Sequence, residues 1–239
     1  MPLFVVIIYS FNADKGMTWS GFSLKWYKEL FLDSRALWTA FFNSLIIALT
    51  SSVSATVLGT LAAIGLKWHD FRGKKTIMAL SYLPMILPEV IIGISMLIFF
   101  VAVNIPLGKF TIYVAHTTFN LPFVFMLVSA RLDEFDYSTV EAARDLGAKE
   151  SQTLFRVVLP SLAPGIISGL LMAVTMSLED FVITFFVSGP GSGTLPLYVY
   201  SSIRYGVSPV INALSFLMVA MSMALAVLCR KFLKLLAAA

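Results

Sequence analysis

The sequence predicts an all-α integral membrane protein, a six-span helix bundle whose first span is short or truncated, and three observations carry that expectation. Of 239 residues, 59% are hydrophobic and 13% charged, and mean hydropathy is +0.89, whereas a soluble globular domain carries about a quarter charged residues. Five apolar stretches, residues 37–66, 77–103, 110–132, 164–187 and 209–229, are each long enough to cross about 30 Å of hydrocarbon as helices. The seventeen Lys and Arg, which give a net charge of +4, gather between those stretches rather than along one polar face. That pattern fixes orientation in a bilayer and argues against nucleic acid as a partner.

Taken in order, residues 1–11 are apolar but fewer than the roughly 17 that a helical span needs, so they read as a truncated first span. A secretory signal would require a basic region before them and a small-residue cleavage site after them, and neither is visible. In the second span Ala55, Gly59 and Ala63 recur every fourth residue, a seam that lets helix backbones approach closely; ordinary bundle packing is the reading preferred. Ser208 before Pro209 has the order of an N-cap followed by proline at the first helical position. The single cysteine, Cys229, excludes an intrachain disulfide and reads as a packing residue. Eleven bases lie in the connections 67–75 and 131–156 and at the carboxyl end, against six elsewhere. Positive loops stay cytoplasmic, so both termini are expected inside.

The connection between the fourth and fifth spans, residues 133–160, reads as a folded cytoplasmic loop within a single transmembrane domain, residues 1–239. Ser138 and Glu141 have the spacing of a capping box. Ala142, Ala143 and Leu146 are good helix formers, and Gly147 permits a sharp reversal before a second short amphipathic piece that leads to Leu159 and Pro160. Two short helices below the membrane are expected. Glu141-Ala142-Ala143, three residues, Gly147, nine residues and then Val157-Val158-Leu159-Pro160 resemble the EAA loop of ABC importer permeases, with Val157 where isoleucine is usual. The resemblance implies the type I importer permease fold and implies that Ser138, Glu141, Ala142, Ala143, Gly147, Leu159 and Pro160 form the seat for a partner ATPase. On the same basis ATP and Mg belong to that partner, this chain binds no cofactor, and a second permease subunit, two copies of the ATP-binding cassette and an extracytoplasmic binding protein complete a machine in the bacterial inner membrane. The chain itself is then a transport subunit and not an enzyme.

Charged side chains at the bilayer centre cost at least about 2.5 to 3.5 kcal/mol, so those present face a bundle interior or an aqueous path. Glu89 lies twelve residues past Ile77 and Glu179 fifteen past Pro164. At 1.5 Å per residue these are rises of about 18 and 22 Å, which put the two carboxylates at similar depth in a possible shared cavity. Glu179 and Asp180 are about 100° apart round a helix and cannot both face one channel, so one of the two is expected to pair with another span. Pro84 and Pro88 break the hydrogen-bond ladder before Glu89. Tyr82, seven residues before Glu89, shares its face on a continuous helix; packing is the preferred role and a cation-facing ring the alternative. For the acids, structural pairing and substrate contact both stay open. Ser177-Leu-Glu-Asp-Phe181, Phe186-Val-Ser-Gly-Pro190, Leu195-Pro-Leu-Tyr198 and Gly206-Val-Ser-Pro-Val-Ile-Asn-Ala213 resemble the second permease of spermidine/putrescine importers, which implies polyamine import and an extracytoplasmic polyamine-binding protein. The short first span and the ending Leu235 to Ala239 depart from that family's pattern.

Rival functions make distinct demands. A nucleotide-binding subunit needs G-x-x-x-x-G-K-[ST], and Gly189-Pro-Gly-Ser-Gly193 lacks the lysine and reads as a turn. His69 and His116 have no evident nucleophile or metal-ligand set; His116, Thr117 and Asn120 read as interhelical hydrogen-bonding groups. A permease for another small solute, an ion-coupled secondary transporter or channel that uses Glu89 and Glu179, and a scaffold without transport remain the alternatives.

Overall fold

The computed structural model describes residues 2–15, 18–204, 208–220 and 223. Its elements are α1 (Pro2–Ser10), α2 (Lys25–Leu32), α3 (Arg35–Trp68), α4 (Lys74–Ile86), α5 (Glu89–Ala102), α6 (Lys109–Asp133), α7 (Ser138–Asp145), α8 (Glu150–Thr153), α9 (Leu159–Glu179), α10 (Val182–Val187), α11 (Leu195–Arg204) and α12 (Pro209–Ala220). Among the described residues, three helices are individually long and apolar enough to cross a membrane: α3, α6 and the unbroken run Glu150–Glu179, in which one wide turn of i→i+5 bonds over Leu154–Val158 joins α8 to α9. Helices α4 and α5 make a fourth crossing if taken together, but they meet at 110°. Helix α1 has nine residues, and Cys229 and the end of the last apolar stretch lie outside the described residues.

The chain forms two compact units, 1–39 with 198–239 and 40–197. In the first, the Asn12 side chain organises the turn after α1, donating to the Asp14 and Thr18 carbonyls and accepting from the Ser20 amide. Trp26 Nε1–H donates to the Asn12 carbonyl at 2.6 Å, and Phe11 stacks on Phe22 and meets Tyr27 at a tilt. The Val210 amide reaches Ser208 Oγ at 3.4 Å, so Ser208 caps α12 as its order before Pro209 suggests.

The second unit is built on α6. Buried Leu162, Gly165, Gly169, Ala173 and Ser177 form one stripe of α9 against it, while buried Ala55 and Ala63 of α3 belong to the same core as Val124, Phe125, Val128 and Leu132 of α6. Val124 is gripped from two sides. A Cβ on Gly59 would fall 2.9 Å from its side chain, and one on Gly169 would fall 3.1 Å away, so three backbones meet where only glycine allows it. The opposite faces are apolar and exposed: Phe42, Leu45, Ile46, Leu49, Val53, Val57 and Leu61 on α3, and Ile167, Leu171 and Leu178 on α9. A surface of that kind has hydrocarbon as its solvent.

Two anticipated spans are interrupted. Leu87 takes ψ 139° because the ring of Pro88 pushes its preceding residue out of helical space, and the stretch 77–103 becomes a bent pair. The stretch 164–187 breaks at Asp180, whose ψ is 121°.

Replacing Gly59 by valine drives a branched side chain into Val124 and is expected to destabilise the unit by about 1–3 kcal/mol, read as a lower melting midpoint of the purified protein in detergent. Gly65→Ala, where nothing lies within 4 Å of the new carbon, is expected to melt like the parent. Equal midpoints for all three proteins would contradict the three-helix contact.

Candidate functional site

Both interruptions end at carboxylates. With Leu87 extended, Glu89 becomes the first residue of α5, where the unpaired amides and partial positive charge of a helix start favour an anion. Glu179 is the last residue of α9, and there the dipole has the opposite sense: a carboxylate beside the negative end of a helix is stabilised by a cation. The two side chains are exposed, and both line one open cavity of about 250 Å³ together with Phe119, Met176, Asp180, Phe181 and Val182.

Asp180 behaves differently from its neighbour. Only 9% exposed, it accepts at Oδ1 from the Ile183 amide and at Oδ2 from the Thr184 amide and hydroxyl, 2.8 and 2.7 Å away, so it closes the first turn of α10. His116 of α6, 1% exposed, holds Nε2 3.1 Å from the same Oδ2 and Nδ1 2.7 Å from Ser177 Oγ. The acid that pairs with another span is thus Asp180. His116 makes the interhelical bonds expected of it. Thr117 bonds the Tyr113 carbonyl of its own helix, and both polar atoms of buried Asn120 lack a hydrogen-bond partner among the described residues.

Tyr82 does not join the cavity. The seven-residue argument needs a continuous helix, and the 110° bend removes it; the ring packs edge-on against Phe125 at 5.5 Å. The aromatic lining comes instead from Phe119 and Phe181, which composition does not single out. A weak signal existed, since Phe119 is three residues, hence one helical turn, from His116.

At the end of the bundle where α3 and α6 finish, the Lys67–Asp133 ion pair joins the two helices. Trp68 packs on Phe135 and Tyr137, and Arg131 reaches the Ser161 carbonyl. Helix α7 is moored there by Val140, 2% exposed among Leu132, Val158 and Leu162, a burial that stabilises by about 2 kcal/mol. Its start corrects the capping-box expectation. Ser138 is already the first helical residue with no side-chain cap, and Asp136 Oδ1 accepts its amide at 2.9 Å, a carboxylate being the stronger acceptor. Glu141 is then the fourth helical residue, out of reciprocal reach. Helix α7 ends in a Schellman turn: the Gly147 and Ala148 amides donate to the Arg144 and Ala143 carbonyls while Gly147 takes φ +83°. Beyond Lys149 the chain does not form a second separate helix but enters the 30-residue run to Glu179 directly. Leu159 and Pro160 therefore stand inside that run, near its base. Ala142 and Gly147 are exposed and Ala143 half-buried, with Leu146 90% and Phe155 66% exposed beside them.

Spans that stop at carboxylates inside an apolar bundle suit the passage of a polar solute, and the fold and cavity define a membrane transport permease. The particular family follows from sequence: residues 55–238 match the binding-protein-dependent transport system inner membrane component, and the chain belongs to that family. It is 45% identical to the putrescine transport system permease protein PotI of Escherichia coli (strain K12), over 90% of this chain and 79% of that protein. It is 39% identical to the spermidine/putrescine transport system permease protein PotC of Haemophilus influenzae, over 95% of this chain and 89% of that protein. Among solved structures, the fold is shared with a bacterial ABC transporter that imports alginate, with TM-score 0.74 and 15% identity over 96% of this chain and 89% of that one. The MetNI methionine ABC transporter matches with TM-score 0.63 and 19% identity over 83% and 92%. The fold is that of type I ABC importer permeases.

The Ser138 amide and hydroxyl hold the Asp136 carboxyl below its ordinary range. A lowered pKa in the folded state means that the cap operates at and above the ordinary carboxylate range and is lost as pH falls through the lowered value. Asp136→Ala is therefore expected to lower the protection factors of the amides of residues 138–140 at neutral pH, and the parent is expected to lose that protection only in acid. Slow exchange in the variant at neutral pH would assign the cap elsewhere.

Proposed function

We propose that the chain is the permease subunit of an ATP-driven polyamine importer, passing spermidine or putrescine by alternating access. The observation that carries the reading is the cavity in which Glu89, Glu179 and Asp180 meet Phe119 and Phe181 at the carboxyl end of α9. A polyamine is a chain of cations on methylene stems. Carboxylates, aromatic faces, a thioether and the negative end of a helix in a water-poor bundle match both of its parts. The names of the relatives agree with that chemistry. Glu89 and Glu179 supply the accessible charges, while Asp180 holds the corner between α9 and α10.

Energy enters at α7 from a partner ATPase that carries the ATP and Mg. The exposed surface of Ala142, Leu146, Gly147 and Phe155 is small and apolar enough to sit in a groove of that partner, with Glu141 and Ser138 on its flank. Because the run Glu150–Glu179 is unbroken, a push at its foot moves Glu179 about 45 Å away. A second permease, two cassette subunits and an extracytoplasmic polyamine-binding protein complete the importer, with both termini of this chain in the cytoplasm.

Reconstituted with its cassette subunit, the chain is expected to take up putrescine only with ATP; uptake from a pH gradient alone would replace this mechanism with ion coupling. Glu89→Gln and Glu179→Gln are each expected to raise the KM for putrescine roughly tenfold, the cost of losing one charge-assisted contact, and unchanged KM in both would remove them from the path. Gly147→Asp is expected to insert normally and to hydrolyse ATP without transport, whereas transport at the parental rate would rule out the docking seat.

A further inference from the structure

A buried polar chain crosses the second unit behind the cavity. Ser51 of α3 lies 3.4 Å from Ser177 of α9, Ser177 lies 2.7 Å from His116 Nδ1, and His116 Nε2 is shared between Asp180 at 3.1 Å and Thr184 at 3.0 Å. The His116 imidazole of α6 thus meets α9, Asp180 and α10 directly, and α3 joins the chain through Ser177. Every member has a partner, which is what an apolar bundle requires of polar groups it buries. The bonds sort by reach. The Ile183 and Thr184 amides and the Thr184 hydroxyl hold Asp180 from within its own segment; His116 is the donor that comes from another span. Glu179 precedes Asp180 in the chain, and Phe119 stands one turn from His116 on α6, so the bond joins the two walls of the cavity.

We propose that His116 is a positioning residue for the cation path: its Nε2–H bond to Asp180 fixes the corner between α9 and α10 against α6, so that Glu179 and Phe119 line one cavity. The inference rests on the polyamine reading for its consequence in transport, but not for its geometry. A histidine that only fills space would be replaced equally well by either amide side chain. A positioning histidine distinguishes them, because glutamine reaches the Nε2 position and keeps a donor for Asp180, while asparagine reaches only the Nδ1 position and keeps Ser177.

The test compares His116→Asn and His116→Gln in inner-membrane vesicles that contain the chain and its partner subunits. Putrescine uptake is one readout. The other is the rate at which a cationic thiol reagent labels a cysteine placed at Glu179 in a Cys229→Ser background. Asparagine is expected to raise the KM about tenfold at an unchanged maximal rate and to shift the labelling rate several-fold, and glutamine is expected to stay within about twofold of the parent on both. His116→Ala removes the same Nε2 donor and is expected to give the same two shifts, which keeps the comparison with glutamine decisive if the asparagine variant does not assemble. Asparagine and glutamine variants that behave alike in labelling and KM would overturn the assignment. The expected labelling pattern in vesicles where no chain, the parent included, takes up putrescine would uphold the positioning role and sink the polyamine reading instead.

Discussion

Hydrocarbon offers no hydrogen-bond partners, and the architecture follows from that constraint. A backbone that leaves helical geometry inside the bilayer must find donors and acceptors within the protein or beside water. The second unit leaves it twice, at Leu87 and at Asp180, and each departure adjoins a carboxylate of the same cavity. The second break shows how the cost is met. Asp180 satisfies the freed amides of α10, and its own charge is satisfied by Thr184 and His116. Packing around Val124 keeps α3, α6 and α9 close enough for those bonds to form. The interruption at Asp180 is thus held by hydrogen bonds from two spans, and both interruptions adjoin the place where the bundle opens.

Much of this was legible in the residues, and the illegible parts have physical causes. Span positions follow from apolar length, since the bilayer imposes one thickness on every crossing helix. The folded loop was legible because Gly147 and the alanines before it act through local backbone geometry. Glu89 and Glu179 stood out because charge in an apolar stretch is costly, and equal depth by counting brought them together. What failed depended on direction. A seven-residue spacing says nothing about shared faces once a proline turns the axis, so the cation-facing alternative for Tyr82 lost its footing while the preferred packing role matches its contact with Phe125. Ser138 was credited with a cap that the adjacent Asp136 makes more strongly. Phe119 and Phe181 look like any other aromatic residue in a membrane helix until the corner at Asp180 is known.

The loop and the cavity are also joined by one continuous helical run. Expected as a pair of small helices under the membrane, the connection contains a single moored helix, α7, and the foot of a long rod. The mooring is modest, one valine and a few ring contacts, whereas the rod packs along most of α6. In the coupling proposed above, force at Gly147 would reach the lightly moored α7 first and the long lever after it.

The wide turn over Leu154–Val158 gives that lever a phase. Each residue of an α-helix advances the direction of its side chain by about 100° and its height by 1.5 Å, so a turn with i→i+5 bonding, which houses one residue more than its neighbours, rotates everything above it relative to everything below. The compass bearing of Glu179, as seen from α7, is thereby decided at the bottom of the rod and not beside the carboxylate. One residue removed from that loosened coil would leave both ends chemically intact and turn the acid toward a different wall.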